Sequence, residues 1–180
     1  MNKKIIFIAF ALIILSIPMY LMITSENVLE KGFRHKIKLQ AYDPFDPFRG
    51  KYLRMNYDNS VRCDEHFEDG DPIYITLEKD SLGYSFFDYG SKTAPKNSTD
   101  YFKTITTSST YGDHVRFRTD NLSKYFINED KATPAETLIW DYQRNHPDSI
   151  YVAIRVLDGE VRLEDIFVEE TPLLDFLDKN

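Results

Sequence analysis

From Ile5 to Ile23 the chain carries no charged residue, and only Ser16, Pro18 and Tyr20 relieve its apolar character. A helix rising about 1.5 Å per residue needs roughly 20 such residues to cross the hydrocarbon core of a bilayer, so the run predicts a membrane-spanning segment. A helix buried in a soluble core would keep one polar stripe, and this run has none. A cleaved signal peptide is the closer alternative, because Lys3 and Lys4 supply a basic leader. The run, however, closes on Met22, Ile23 and Thr24 without a small-x-small cleavage site, which favours retention as an anchor. Pro18 is expected to kink the helix or end its regular part. With Lys3, Lys4 and the terminal amine on one side and Thr24, Ser25 and Glu26 on the other, the positive-inside rule puts the N-terminus in the cytoplasm.

That placement changes how the composition reads. The whole chain of 180 residues has 22 Lys+Arg against 29 Asp+Glu, net −7. Without Lys3 and Lys4, the part beyond the run has 20 bases against 29 acids, net −9. So acidic a domain lacks the footprint that phosphate backbones require, which excludes nucleic acid as a partner, and anionic lipid would repel it. Thirteen Phe and twelve Tyr with only seven Gly and eight Pro rule out a disordered chain. One cysteine, Cys63, can form no internal disulfide.

Ser25, Glu26, Val28 and Leu29 followed by Gly32 predict a short capped helix that stops at the glycine, a juxtamembrane stalk. Strands are expected at Lys36–Tyr42, Lys51–Asp58, Ile73–Lys79, Tyr84–Tyr89, Tyr101–Thr107 and Val115–Thr119, each rich in β-branched or aromatic residues and bounded by turn formers. The clearest signal is a hairpin, Ile150–Leu157 returning as Glu160–Val168. Its Asp158-Gly159 tip supplies the positive φ angles that a tight primed turn needs. Ile150, Val152, Ile154 and Val156 would share one face and Tyr151, Ala153 and Arg155 the other.

One helix is predicted among these strands, with Thr133 as cap, Pro134 at the first helical position, Glu136 completing a capping box, and Ala135, Leu138, Ile139 and Tyr142 as its apolar face. Trp140 reads as a packing or surface residue, and Gly90–Asp100 as a loop. The fold class that follows is an N-terminal transmembrane helix plus a β-rich α+β domain, an antiparallel sheet or partly open barrel with one or two helices. Its divisions are 1–25 (cytoplasmic tip and anchor), 26–34 (stalk) and 35–180 (extracytoplasmic domain).

The most distinctive stretch is Tyr42 to Tyr57. Asp43-Pro44 and Asp46-Pro47 force a bend, Arg49 can pair with either aspartate, and Gly50 permits a backbone conformation closed to other residues. Beyond the bend Leu53, Met55 and Tyr57 fall on one strand face and Tyr52 on the other. Phe45, Phe48, Arg49, Tyr52 and Tyr57 are candidate contact residues, since aromatics and arginine dominate binding energy where they are not core. A packed turn buttressed by rings is the alternative reading.

This stretch resembles the bacterial membrane-anchored GDYXXLXY protein family, named for a Gly-Asp-Tyr-x-x-Leu-x-Tyr signature that follows an Asp-Pro run. Gly50, Tyr52 and Tyr57 match it. Met55 stands where the signature has leucine, a swap that keeps volume, and Lys51 stands where it has aspartate, which reverses a charge. The resemblance extends into Val115–Phe126, Pro134–Asp141 and the final hairpin. It implies a bacterial envelope protein, held in the inner membrane through residues 5–23, with its domain in the periplasm and a multi-spanning membrane protein as partner. It implies no activity.

Chemistry has few footholds in the sequence. The four histidines are scattered, and Cys63-Asp64-Glu65-His66 with Glu68, Asp69 and Asp71 crowd one loop without tetrahedral or calcium-loop spacing, so no metal and no cofactor are expected. No Gly-x-Ser-x-Gly elbow or phosphate-cradling loop is present. His114, Arg116 and Arg118 share one strand face and make a compact basic patch, either a dock for an anion or a solvated face balanced by acids. The reading preferred on sequence is a non-enzymatic envelope module. The alternative is an envelope hydrolase using Cys63 as nucleophile and His66 as base.

Overall fold

The computed structural model describes residues 3–39, 52–96 and 98–179. Its first element, α1 (Lys3–Lys31), is one unbroken helix that passes through Pro18. The expected separate helix starting at Ser25 does not form. Ser25 does not act as a cap, because its hydroxyl takes the Arg162 Nε–H at 3.1 Å. Gly32 ends the helix as expected, its amide donating to the Val28 carbonyl at 2.9 Å.

Eleven strands follow among the described residues: β1 (Phe33–Lys38), β2 (Tyr52–Arg54), β3 (Ser60–Arg62), β4 (Pro72–Lys79), β5 (Ser85–Ser91), β6 (Tyr101–Ile105), β7 (His114–Arg116), β8 (Lys124–Phe126), β9 (Ile150–Leu157), β10 (Glu160–Val168) and β11 (Thr171–Pro172). The other helices are α2 (Glu129–Asn145) and α3 (Leu173–Lys179). Nine strands form one mostly antiparallel sheet in the order β11-β10-β9-β1-β5-β3-β7, with β4 between β5 and β6. β2 and β8 make a separate two-stranded ribbon. The main sheet curls until the chain just beyond β6 meets the chain just beyond β7 through a bridge between Thr106 and Phe117, without closing into a barrel. The domain is thus a β-rich α+β fold.

The final hairpin forms as predicted, with Asp158 at φ 49° and Gly159 at φ 84°. Both of its faces are buried, however. Ile150, Val152, Ile154 and Val156 face the core, while Tyr151 on the opposite face is also only 2% exposed. Phe167 stacks on its ring at 5.3 Å and Lys36 lies 4.6 Å above it. Arg34, Lys36 and Lys38 alternate along this outer face of β1, placed over Phe167, Tyr151 and Tyr84 respectively. Each also meets an acid, Glu164, Glu170 or Asp148. Cation–π contact and ion pairing together let a row of three cations cover apolar rings.

At the centre of the core Phe87, Phe102 and Phe117 pack edge to face, with ring centroids 5.7, 5.1 and 6.0 Å apart. Ala135 and Ile139 of α2 are buried in the same core, with Leu138 and Tyr142 packed at its margin. α2 begins earlier than the sequence suggests. Its N-cap is Asn128, and Pro134 is an interior residue. Glu129 and Asp130 in the first turn complement the helix dipole, which helps offset the backbone bond that the proline removes.

The C-terminal turn of α1 lies on β9 and β10. Val28 is 2% exposed there. Arg155 donates to the Gly32 carbonyl at 3.1 Å and pairs with Glu164 at 2.7 Å. The apolar helix is therefore built into the sheet by a buried side chain and two arginines, not attached through a loose linker.

Candidate functional site

Asp43, Phe45, Asp46, Phe48, Arg49, Gly50 and Lys51 lie outside the described residues. The rest of the signature is well placed. Leu53, Met55 and Tyr57 alternate into the core, at 2%, 4% and 7% exposure. The Met55 amide donates to the Ser123 carbonyl at 2.8 Å, and the Tyr57 hydroxyl donates to the Leu122 carbonyl at 2.7 Å. Burial raises the Tyr57 phenol well above its ordinary value, so it stays a neutral donor. Met55 and Tyr57 thus join the ribbon to the core.

Tyr52 points the other way. It is half-buried opposite Phe126 in the ribbon, rings 6.0 Å apart, with Lys124 5.6 Å from its own ring. Phe126 is 73% exposed, and Arg54 and Lys124 beside it are exposed as well. Phe126 continues into an open groove with Ile127, Asn128, Glu129 and Leu174. Sequence reasoning missed Phe126 because no strand was expected at 124–126, so no alternation was read there to show which residue faces outward.

Cys63 and His66 do not assemble a nucleophilic pair. Cys63 is buried, and burial raises its thiol pKa, with Thr110 as a hydrogen-bond partner opposing the rise. His66 is exposed, with Nε2 2.8 Å from Glu68. A protonated, enclosed thiol is a poor nucleophile. Among the described residues no three His, Cys, Asp or Glu side chains converge as metal ligands.

One trio, with two members buried and Asp100 half-buried, does combine nucleophile, base and acid residue types. His35 Nδ1 is 3.0 Å from the Ser85 hydroxyl, and its Nε2 is 3.7 Å from Asp100. Ser85 and His35 are 3% and 2% exposed, so substrate could not reach them. Among the described residues Nε2 has no hydrogen-bond partner. Burial lowers the His35 pKa below 6.5; Asp100 opposes this and Lys79 reinforces it. Because the unfolded chain then takes up the proton first, stability is full above about pH 6.5 and falls as pH drops from there toward the folded pKa. We expect the melting temperature of the detergent-solubilised full chain to fall on acidification through this range. The His35 ring signals, followed by NMR, should titrate below pH 6.5; a midpoint above that value would contradict the account.

His114 and Arg116 lie on β7 and Arg118 just beyond it. All three are exposed, alternating with buried Val115 and Phe117. The structure adds neighbours from β3, since Ser60 pairs in register with Arg116 and Arg62 with His114. His114 meets Asp113 at 2.7 Å, Arg118 meets Asp120 at 3.5 Å and Arg62 meets Asp88 at 3.8 Å. Arg116 has no acid partner among the described residues.

Comparison with curated proteins finds no match, and comparison with solved structures finds none either. A family model described as GDYXXLXY protein matches residues 14–166, from the middle of α1 into β10. The ribbon strand with Tyr52, the Met55 and Tyr57 that follow it, most of the sheet beneath and the C-terminal part of α1 lie within this match, and the chain belongs to the GDYXXLXY protein family.

Proposed function

We propose that the chain is a single-pass protein of the bacterial cell membrane, with its N-terminus in the cytoplasm and residues 35–180 outside as a non-enzymatic accessory of an integral membrane protein. The observation that carries this reading is the junction between α1 and the sheet. An enzyme that must search for substrate is served by a loose tether, whereas a part that must meet a fixed neighbour is served by a rigid mount. Here Val28, Gly32, Arg155 and Arg162 make the mount. The contact surface is the outer side of the β2–β8 ribbon, where exposed Phe126 and half-buried Tyr52 stand beside the cross-strand pair Arg54 and Lys124. Aromatic rings flanked by long cations suit an acidic extramembrane loop of such a neighbour.

A photo-crosslinking residue placed at Phe126 or Tyr52 in the intact membrane is expected to capture an integral membrane protein. The same residue at Leu82, exposed on a turn, should not. Failure to recover any integral membrane protein from either ribbon position would defeat the proposal.

A further inference from the structure

The outward side of the β3–β7 ladder opens into a groove of about 360 Å³ lined by Ser60, Ser108, Ser109, Tyr111, His114 and Arg116. Its polar groups are unevenly satisfied. Ser109 donates to Glu68 and His114 meets Asp113, while among the described residues no side-chain partner engages the Ser60 and Ser108 hydroxyls, the Tyr111 phenol or the Arg116 guanidinium. Tyr111 is 90% exposed, yet its backbone is held. It bridges to His114 with paired hydrogen bonds of 2.9 and 3.2 Å, across a tight turn in which Gly112 adopts φ 64°. A fully presented ring on a pinned backbone, beside a guanidinium with no side-chain partner among the described residues and a bank of hydroxyls, is a costly arrangement to leave in water without use.

We propose that this groove binds a carboxylate-bearing saccharide. Arg116 takes the carboxylate through its two-pronged donor edge, Tyr111 packs on the apolar C–H face of the sugar ring, and Ser60 and Ser108 exchange hydrogen bonds with sugar hydroxyls. Two observations favour a saccharide over an acidic peptide or a polyphosphate. Extended peptides usually bind by adding a strand to a free edge, and β7 has none. Its first edge is paired with β3, while on the other Thr107 donates to the Arg116 carbonyl and Arg118 to the Ile105 carbonyl, at 2.9 and 2.8 Å. Among the described residues polyphosphate would meet in this groove one cation without an acid partner, Arg116, with Asp113 and Glu68 close by, too little charge to gather several phosphates.

The test uses the full chain in detergent micelles, titrated by calorimetry with galacturonate trimer, glucuronate and N-acetylmuramate. Neutral galactose trimer, inorganic phosphate and a poly-aspartate peptide serve as comparisons. At least one acidic saccharide is expected to bind and its neutral counterparts not to. Arg116→Gln should weaken that binding by about tenfold or more. Tyr111→Ala should do likewise, whereas Tyr111→Phe should retain most of it. These side chains are exposed, so the melting temperature should not move. Absence of binding by all three acidic saccharides, equal binding of phosphate or poly-aspartate, or affinity indifferent to Arg116→Gln and Tyr111→Ala would each overturn the proposal. None of these outcomes bears on the ribbon, so failure here leaves the accessory reading standing.

Discussion

Replacing Phe117 by alanine is expected to cost about 3–5 kcal/mol, the range for emptying a fully buried aromatic site. Phe117 is fully buried. It touches both other rings of the central trio, Phe87 at 5.1 Å and Phe102 at 6.0 Å. Its backbone also matters, because the bridge to Thr106 is where β6 meets the far end of the sheet. A cavity there weakens the packing and the curl together. Against a total of roughly 5–15 kcal/mol for a typical domain, such a loss would lower the denaturation midpoint steeply. Phe126→Ala provides the contrast. That ring is 73% exposed, and its removal should change stability by no more than about 0.5 kcal/mol. Chemical denaturation of both variants in the same detergent checks the pair; similar losses would mean the aromatic trio does not organise the core.

The second large effect is expected at Gly32. A Cβ there would sit 2.4 Å from the Val28 carbonyl oxygen and 3.1 Å from both the Arg155 Cβ and the Val156 amide. The closest of these is backbone, already engaged by the Gly32 amide at 2.9 Å, so it cannot swing aside like the tip of a side chain. Gly32→Ala should therefore cost about 3 kcal/mol, the upper end of ordinary overpacking. The damage should be local first, with the C-terminal turn of α1 lifting from β9. Faster hydrogen exchange of the Val28 to Gly32 amides, together with a lowered melting temperature, is the expected signature. Unchanged exchange would show that the helix and sheet are joined elsewhere.

These two positions differ in how far the sequence announces them. Phe117 sits in the expected strand Val115–Thr119, and its alternation with exposed Arg116 and Arg118 makes its burial readable from pattern alone. Gly32 was readable as a helix stop, but not as the point where a helix presses on a strand, because Arg155 lies far along the chain. Ser25 shows the same limit. Local spacing made it a cap, whereas its hydroxyl is held by Arg162, a partner that no window of neighbouring residues contains. The β9–β10 hairpin was fully legible because its tip and its alternation are both local signals. The covering of its outer face by Phe167 and Lys36 was not, since that depends on strand order. In the candidate surfaces, Tyr52 and the His114–Arg118 row were found by alternation, while Phe126, Ser60 and Arg62 lie on β8 and β3, where no strand was expected and so no alternation was read.

The unbroken path from α1 into the sheet also has a geometric effect. A helix turns about 100° and advances about 1.5 Å with each residue. Between the apolar run and Val28 there is no hinge in which that rotation could be lost. In the proposed setting, the side of the spanning helix that meets a neighbour within the bilayer and the side of the domain that meets it outside are phase-locked. The number of residues before Val28 then sets the compass bearing of the ribbon as well as its height above the membrane.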